Sequence, residues 1–229
     1  SVSMRLSSSS IMTMLILLFT SSILSVNSQN QKSLNRIALR AKRMIDVRSG
    51  KEITDVVILI EKNKIVGMGP DLKIPDSVQI IALGDVTLLP GLIDAHTHLL
   101  HQYYARYGDD NSNRLLEMIQ LGPAKRALLG ARLAREMLEA GFTAVRDLGN
   151  SGINADIALR DAINNGDVIG PRMFVSTRAL SPVGGQFQSV TPEAQQLLSQ
   201  EYVQISGVEE ARKAVRQAIF DGADCIKVI

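Results

Sequence analysis

The sequence predicts an α/β fold: part of a small β-sandwich, followed by the N-terminal half of a (β/α)8 TIM-type barrel. Three observations carry this prediction. Short apolar runs separated by polar turns fill residues 34–88. Beyond residue 88 strand-like runs alternate with helical stretches, and strands joined by helices pair in parallel. The alternating region, residues 89–229, holds four strand candidates, whereas a complete barrel has eight strands and about 250 residues.

In the first segment, Ile53–Ile60 and Lys64–Met68 read as strands joined by the polar turn Glu61-Lys62-Asn63. Gly69-Pro70-Asp71 breaks the second strand, and Val78–Ala82 begins another. With the residues up to 88 they make a small sheet or sandwich, and residues 29–88 are taken as that domain portion. In the second segment, Leu89–His98 reads as a strand entered through Pro90-Gly91. Pro123 opens a helix with Leu129, Leu133 and Met137 along one face, which stops at Gly141. Phe142–Arg146 is the next strand, Ile153–Asn165 a helix closed by Gly166, and Arg172–Ser176 a third strand. Ser206 and Glu209 have capping-box spacing. Val208, Ala211, Val215, Ala218 and Ile219 then share a helix face, Gly222 stops it, and Asp224–Ile229 is the fourth strand.

Composition excludes several classes of function. The 229 residues are 45% hydrophobic and 21% charged, as expected of a folded globular chain. A net charge of +2 is too small to imply a nucleic-acid or anionic-membrane partner. The basic cluster Lys32, Arg36, Arg40, Lys42 and Arg43 lacks interleaved aromatics and reads as a solvated face. Residues 1–28 have the pattern of a secretory signal peptide: Arg5, the apolar run Ile11–Phe19, then small residues at Val26-Asn27-Ser28. Even extended to Leu24, that run falls short of the roughly 20 residues that span a bilayer. The expected location is therefore the secretory pathway or outside the cell, with no membrane span after cleavage. The three residues before Met4 read as translated upstream sequence. Cys225 is the only cysteine, so no intrachain disulfide forms, and it reads as a small apolar side chain.

The three histidines, His96, His98 and His101, are clustered. Alternate residues of a strand share a face, roughly 6.6 Å apart, so His96 and His98 can converge on one metal ion. Their position at a strand's C-terminal end is where barrel enzymes place their chemistry. Asp94 shares that face and is a candidate to orient a ligand. His101 is out of phase and reads as no ligand. Arg146 and Asp147, ending the next strand, read as a structural ion pair rather than substrate contacts. Ser181–Gln186, with Gly184-Gly185, reads as a loop at the active site. Lys227 sits within an apolar run, where its stem packs and its head either reaches water or pairs with a carboxylate such as Asp147.

The stretch Leu89-Pro-Gly-Leu-Ile-Asp-Ala-His-Thr-His98 resembles the first-strand motif of the metal-dependent amidohydrolase superfamily. Ala140–Gly149 and Gly170–Ser176 resemble the second and third strands of its imidazolonepropionase-related, Xaa-Pro dipeptidase-like branch. The resemblance runs from about residue 34 to the end. It implies a metal-dependent hydrolase acting on the C–N bond of an amide or dipeptide-like substrate. It also implies His96 and His98 as metal ligands and Lys227 as a CO2-derived carbamate bridging two divalent ions, usually zinc. Burial disfavours an ammonium ion, and the neutral amine that remains can add CO2 to become an anionic oxygen ligand. Relatives in this branch carry a histidine where this chain has Gln186. The small-molecule substrate itself is not specified, and a homo-oligomer is compatible with the reading.

The family also uses histidines from the fifth and sixth strands and an acid–base aspartate from the eighth, and no histidine follows His101. The expectation is therefore the N-terminal part of a longer enzyme, itself inactive, with its catalytic acid–base residue unknown. Two alternatives stand beside it: a catalytically inactive amidohydrolase-like binding or scaffold protein, and a mononuclear deaminase-like hydrolase.

Overall fold

The computed structural model describes residues 36–149, 151–187 and 191–229. The expected signal peptide at residues 1–28 lies outside them. Two compact units divide between Pro90 and Gly91. Among the described residues no helix is long and apolar enough to cross a membrane.

The N-terminal unit is one four-stranded sheet of β1 (Arg36–Asp46), β2 (Lys51–Glu61), β3 (Lys64–Gly69) and β4 (Gln79–Leu88), in the order β3-β2-β1-β4. β1 and β2 form an antiparallel hairpin, while β4 lies parallel to β1. A parallel pair needs a crossover. The connection supplies it and covers one face, with Leu72, Ile74 and Val78 packing on Ala38, Val57 and Leu59. Ala41, Met44, Val56 and Ile58 fill the other face. The second layer of the expected sandwich is not among the described residues. β1 is an inner strand of the sheet, and Arg36, Arg40 and Lys42 on it are exposed, as the solvated-face reading expects. Three of its cations are paired across the ladder: Arg36 with Glu61 at 3.2 Å, Lys42 with Asp55 at 3.0 Å and Arg43 with Asp85 at 2.6 Å.

The C-terminal unit carries the strand–helix alternation. β5 (Leu92–Thr97), β6 (Phe142–Asp147) and β7 (Arg172–Val175) form a parallel sheet in that order. Helix α1 (Asp110–Gln120) and α2 (Pro123–Glu139) lie between β5 and β6, and α3 (Ala155–Asn165) between β6 and β7. β8 (Ala179–Ser181) and β9 (Tyr202–Gln204) make a second parallel pair, with α4 (Pro192–Leu198) between them and α5 (Val208–Asp221) following. The core packs Leu99, Leu100, Val145, Met173 and Val175 of the sheet side against Ala134, Ala155 and Leu159 of α2 and α3.

Several local expectations change. The most buried stripe of α2 is Arg126, Gly130 and Ala134, one position away from the predicted leucine face, with Leu133 and Met137 at its flank. α5 buries Ala214 and Ala218, leaving Val208 and Ile219 more than half exposed. Its capping box does not form: Gly207 is the N-cap, Ser206 donates its N–H to Glu210 at 2.6 Å, and Glu209 pairs with Arg212. Asp224–Ile229 bends at Asp224 and Cys225 and makes a single bridge, Val228 to Leu180, instead of the expected strand. Ser181, expected in a loop, ends β8.

The entry to β5 is sterically exact. A side chain on Gly91 would place its Cβ 2.1 Å from Thr143 Oγ1 and 2.2 Å from Cγ2. Overpacking of this kind costs about 1–3 kcal/mol. Urea unfolding should show Gly91→Ala destabilised by about that amount, and less so on a Thr143→Ala background, where Oγ1 and Cγ2 are gone and only the Cβ, at 2.6 Å, remains.

Candidate metal centre

β5 carries His96 at its C-terminal end, and His98 follows just beyond the strand. His96 is exposed and His98 half-buried, and their ring centroids stand 5.2 Å apart at an interplanar angle of 68°. Asp94 does not touch the imidazoles. Its Oδ1 accepts the His96 backbone N–H at 3.0 Å, fixing the strand at the first histidine instead of the ring.

His98 is held more closely. Its Nδ1 lies 3.0 Å from the Gly149 carbonyl, so that nitrogen carries the proton and donates, and the lone pair of this tautomer is on Nε2. Burial first, and the nearby Arg114, His96 and His101 in addition, lower its pKa from the ordinary 6.5, although the bond to Gly149 opposes this. The neutral ring is the form a metal requires.

The remainder of the cradle is built from Asp147. This carboxylate is fully buried at the end of β6 and accepts the Leu99 N–H at 2.6 Å, the Ser151 hydroxyl at 2.9 Å and the Thr97 hydroxyl at 3.4 Å. The expected ion pair with Arg146 is absent: Arg146 Nε donates to the Ala95 carbonyl at 2.7 Å, and Asp147 has no cationic partner among the described residues. His101 stands outside the pair, as its phase predicts, with Nδ1 2.5 Å from Glu117.

Lys227 arrives from the other side. Backbone bonds pin its segment: Leu180 N–H donates to Lys227 O at 2.8 Å, and Ile229 N–H to Leu180 O at 3.0 Å. Asp224 adds a side-chain anchor, accepting the Val175 N–H at 2.9 Å while paired with Arg160 at 2.9 Å. The lysine is half-buried, and no carboxylate pairs with it among the described residues. Cys225, half-buried beside it, lies with Sγ 3.7 Å from the Val175 carbonyl.

His96, His98 and Lys227 line one cavity of about 190 Å³, together with Arg114, Leu148, Ala179, Gln186 and Ile229. Among the described residues no group of three or more His, Cys, Asp or Glu side chains gathers as a metal site. The donor set here is instead two imidazoles and a lysine amine. Two neutral imidazoles suit zinc and its neighbours, and a carbamate on the lysine would supply an oxygen, so the residues fit part of a four-ligand shell.

A model of the amidohydrolase family matches residues 87–229, the stretch that contains these elements. The chain belongs to the amidohydrolase family. Over 201 residues it is 32% identical to the ochratoxinase of Aspergillus niger, covering 79% of this chain and 39% of that protein. It is 34% identical over 110 residues to the dihydroorotase of Mycobacterium tuberculosis, 48% of this chain and 21% of that enzyme. Among solved structures it is similar to a prolidase complexed with N-methylphosphonate-L-proline, with a TM-score of 0.68 and 29% identity over 84% of this chain and 46% of the other. The Aspergillus niger ochratoxinase structure matches with a TM-score of 0.67. The chain thus spans less than half the length of these relatives. The predicted superfamily, its Xaa-Pro dipeptidase-like branch and a partial barrel all agree with these likenesses.

Sequence reasoning missed Gly149 and Leu99 as contacts of the histidine strand, and Arg114 as a wall of the cavity. Gly149 acts through its carbonyl and Leu99 through its N–H, which no side-chain pattern records.

Burial pushes the Asp147 carboxyl up to about 7 from its ordinary 3.8, and the neighbouring Asp156 adds to the shift, against the bonds from Leu99, Ser151 and Thr97. A raised carboxyl binds its proton better folded than unfolded. Its stabilisation is therefore complete below about pH 4 and is lost as pH rises through about 7. Denaturant titrations across pH should show the stability of the native chain, relative to Asp147→Asn, falling through that window and levelling off above it. A difference independent of pH would place the proton on another group.

Proposed function

We propose that the protein is a metal-dependent hydrolase of a C–N bond, acting on a small amide or dipeptide-like substrate, with His96, His98 and Lys227 as metal ligands. The observation that carries this reading is the meeting of these three side chains in one cavity, on two segments 129 to 131 residues apart in sequence. Family relatives named ochratoxinase, dihydroorotase and prolidase support the reaction class.

Each residue has a distinct task. Gly149 holds the His98 proton at Nδ1, which keeps Nε2 as the binding nitrogen. Asp94 sets the backbone at His96. Lys227 acts after the neutral amine attacks CO2: an N–C bond forms, one amine proton leaves to solvent, and a carbamate oxygen replaces the nitrogen as ligand. We take two zinc ions as the occupants that such a bridging anion suits. A divalent ion so held supplies Lewis acidity, acidifying water and polarising a carbonyl oxygen. No carboxylate lines the cavity among the described residues, and we assign the acid–base role to none of its lining residues. We also propose entry into the secretory pathway through residues 1–28, and a β-sandwich role for residues 29–88.

Metal analysis of the full-length protein, paired with hydrolysis assays on dipeptides and cyclic amides, tests this reading. It expects about two zinc-like ions per chain, fewer in Lys227→Ala, and no turnover in His96→Ala or His98→Ala. One ion, unchanged in Lys227→Ala, would favour mononuclear deaminase-like chemistry. Neither ion nor turnover would leave a binding or scaffold protein.

A further inference from the structure

A second cavity, of about 300 Å³, lies in the C-terminal unit and shares no lining residue with the metal cavity. Helix α5 forms one side of it, through Lys213, Gln217 and Asp221 and through the buried Ala214 and Ala218. Val203 of β9, with Thr177 and Arg178 just after β7, lines the other side.

This second side is a preformed wall. Thr177 is buried at φ +58°, a left-handed conformation that a β-branched residue rarely adopts. Such a conformation persists only where the surroundings hold it, and here Thr177 donates its N–H to Asp156 Oδ2 at 2.8 Å. Ala179, two residues on, lines the metal cavity. Residues 177–179 therefore partition the two cavities.

The charges around the second cavity balance, with Arg178 and Lys213 against Glu210 and Asp221. Two of the four are committed to backbone. Arg178 Nη1 donates to the Ser199 carbonyl at 2.9 Å, and Glu210 accepts the Ser206 N–H at 2.6 Å. Lys213 and Asp221 form no ion pair among the described residues, although Asp221 Oδ1 accepts the Gln217 amide at 2.8 Å. The two stand eight residues apart, about 12 Å along a helix, beyond the reach of an i,i+4 pair. A dipeptide carries its terminal charges up to about 7 Å apart, and a contact of about 3 Å at each end brings the span to about 13 Å. One amino acid is a residue too short. Asp221 is the last residue of α5, where the helix dipole also favours a cation.

We infer that this cavity is a second ligand site, holding a zwitterionic dipeptide with its ammonium at Asp221 and its carboxylate at Lys213. Val203, Ala214 and Ala218 give the peptide's side chains an apolar surface. The site is separate from the metal cavity and does not depend on the hydrolase reading.

The test is calorimetric titration of the full-length protein, with EDTA present to prevent turnover, using alanyl-leucine as the probe. Alanyl-leucine should bind about fivefold more tightly than N-acetyl-alanyl-leucine or alanyl-leucinamide, each of which lacks one terminal charge. Free leucine should bind more weakly than the dipeptide. Lys213→Met should remove the preference over the amide alone, and Asp221→Asn the preference over the acetylated form alone. No measurable binding, equal affinities for the three peptides, or leucine binding as well as the dipeptide would overturn the site. Preferences unchanged in both variants would place the peptide elsewhere and overturn it too. If one variant does not fold, the other decides by the same criterion.

Discussion

A buried carboxylate with no cationic partner among the described residues holds the histidine strand in place. β5 and β6 pair irregularly, with register shifts between Leu92 and Ile93 and again between Asp94 and Thr97. The strand ladder alone therefore does not fix the end of β5, just before His98. Asp147 does so by taking Thr97 on one side of His98 and the Leu99 N–H on the other. Ser151 joins the same carboxylate to the Gly149 carbonyl, at 2.9 and 3.3 Å, and Gly149 receives the His98 proton. The imidazole's position and tautomer thus trace to one buried acid. Burial of that charge is costly, and the three hydrogen bonds offset only part of it, so the carboxyl keeps its proton up to about pH 7.

The opposite wall of the cavity depends on a second buried charge. Arg126, on the inner stripe of α2, pairs with Glu201 just before β9 and lies 3.9 Å from Glu117 of α1. Glu117 in turn meets His101 and accepts the Gln102 N–H at 3.1 Å. This network ties α1 to the segment after β5. Arg114 sits one turn before Glu117 on that helix, so the ion pairs that anchor Glu117 also place the guanidinium over the cavity. Breaking a buried pair of this kind leaves an uncompensated charge, which is why such networks resist piecemeal change. The histidines and the arginine are therefore positioned by separate buried acids.

Much of this was legible in the residues. The strand–helix rhythm after residue 88 follows from apolar period and from Pro123, Gly141 and Gly166, all local signals. The histidine pair is legible because two-residue spacing has one geometric meaning in a strand. What escaped was tertiary. Arg126 looks like a polar-face residue until Glu201, 75 positions later, arrives to pair with it. Asp147 beside Arg146 looks like a local ion pair, yet neighbouring strand residues point to opposite faces, and each found a partner elsewhere. The basic residues of β1 are solvated as read, while Ala38 and Ala41, whose burial makes it an inner strand, carry no such signal. The failed capping box has a simpler cause: helix α5 begins one residue later than the serine requires, and Glu210 serves Ser206 from the next position.

Lys227 shows how the two kinds of constraint combine. Its apolar neighbours invited the expectation of a packed stem whose head reaches water or pairs with a carboxylate such as Asp147. Instead the backbone does the placing, through Leu180 on both sides of Val228 and through Asp224 at the segment's start. A lysine held by its own ion pair would have to break that pair before reacting or binding a metal. Lys227 has no such partner among the described residues, and Asp147 is committed to Leu99, Thr97 and Ser151. The buried acid that fixes His98 is thereby kept away from the lysine. One carboxylate orders the first ligand strand, and its commitment there leaves the amine of the other segment open to chemistry.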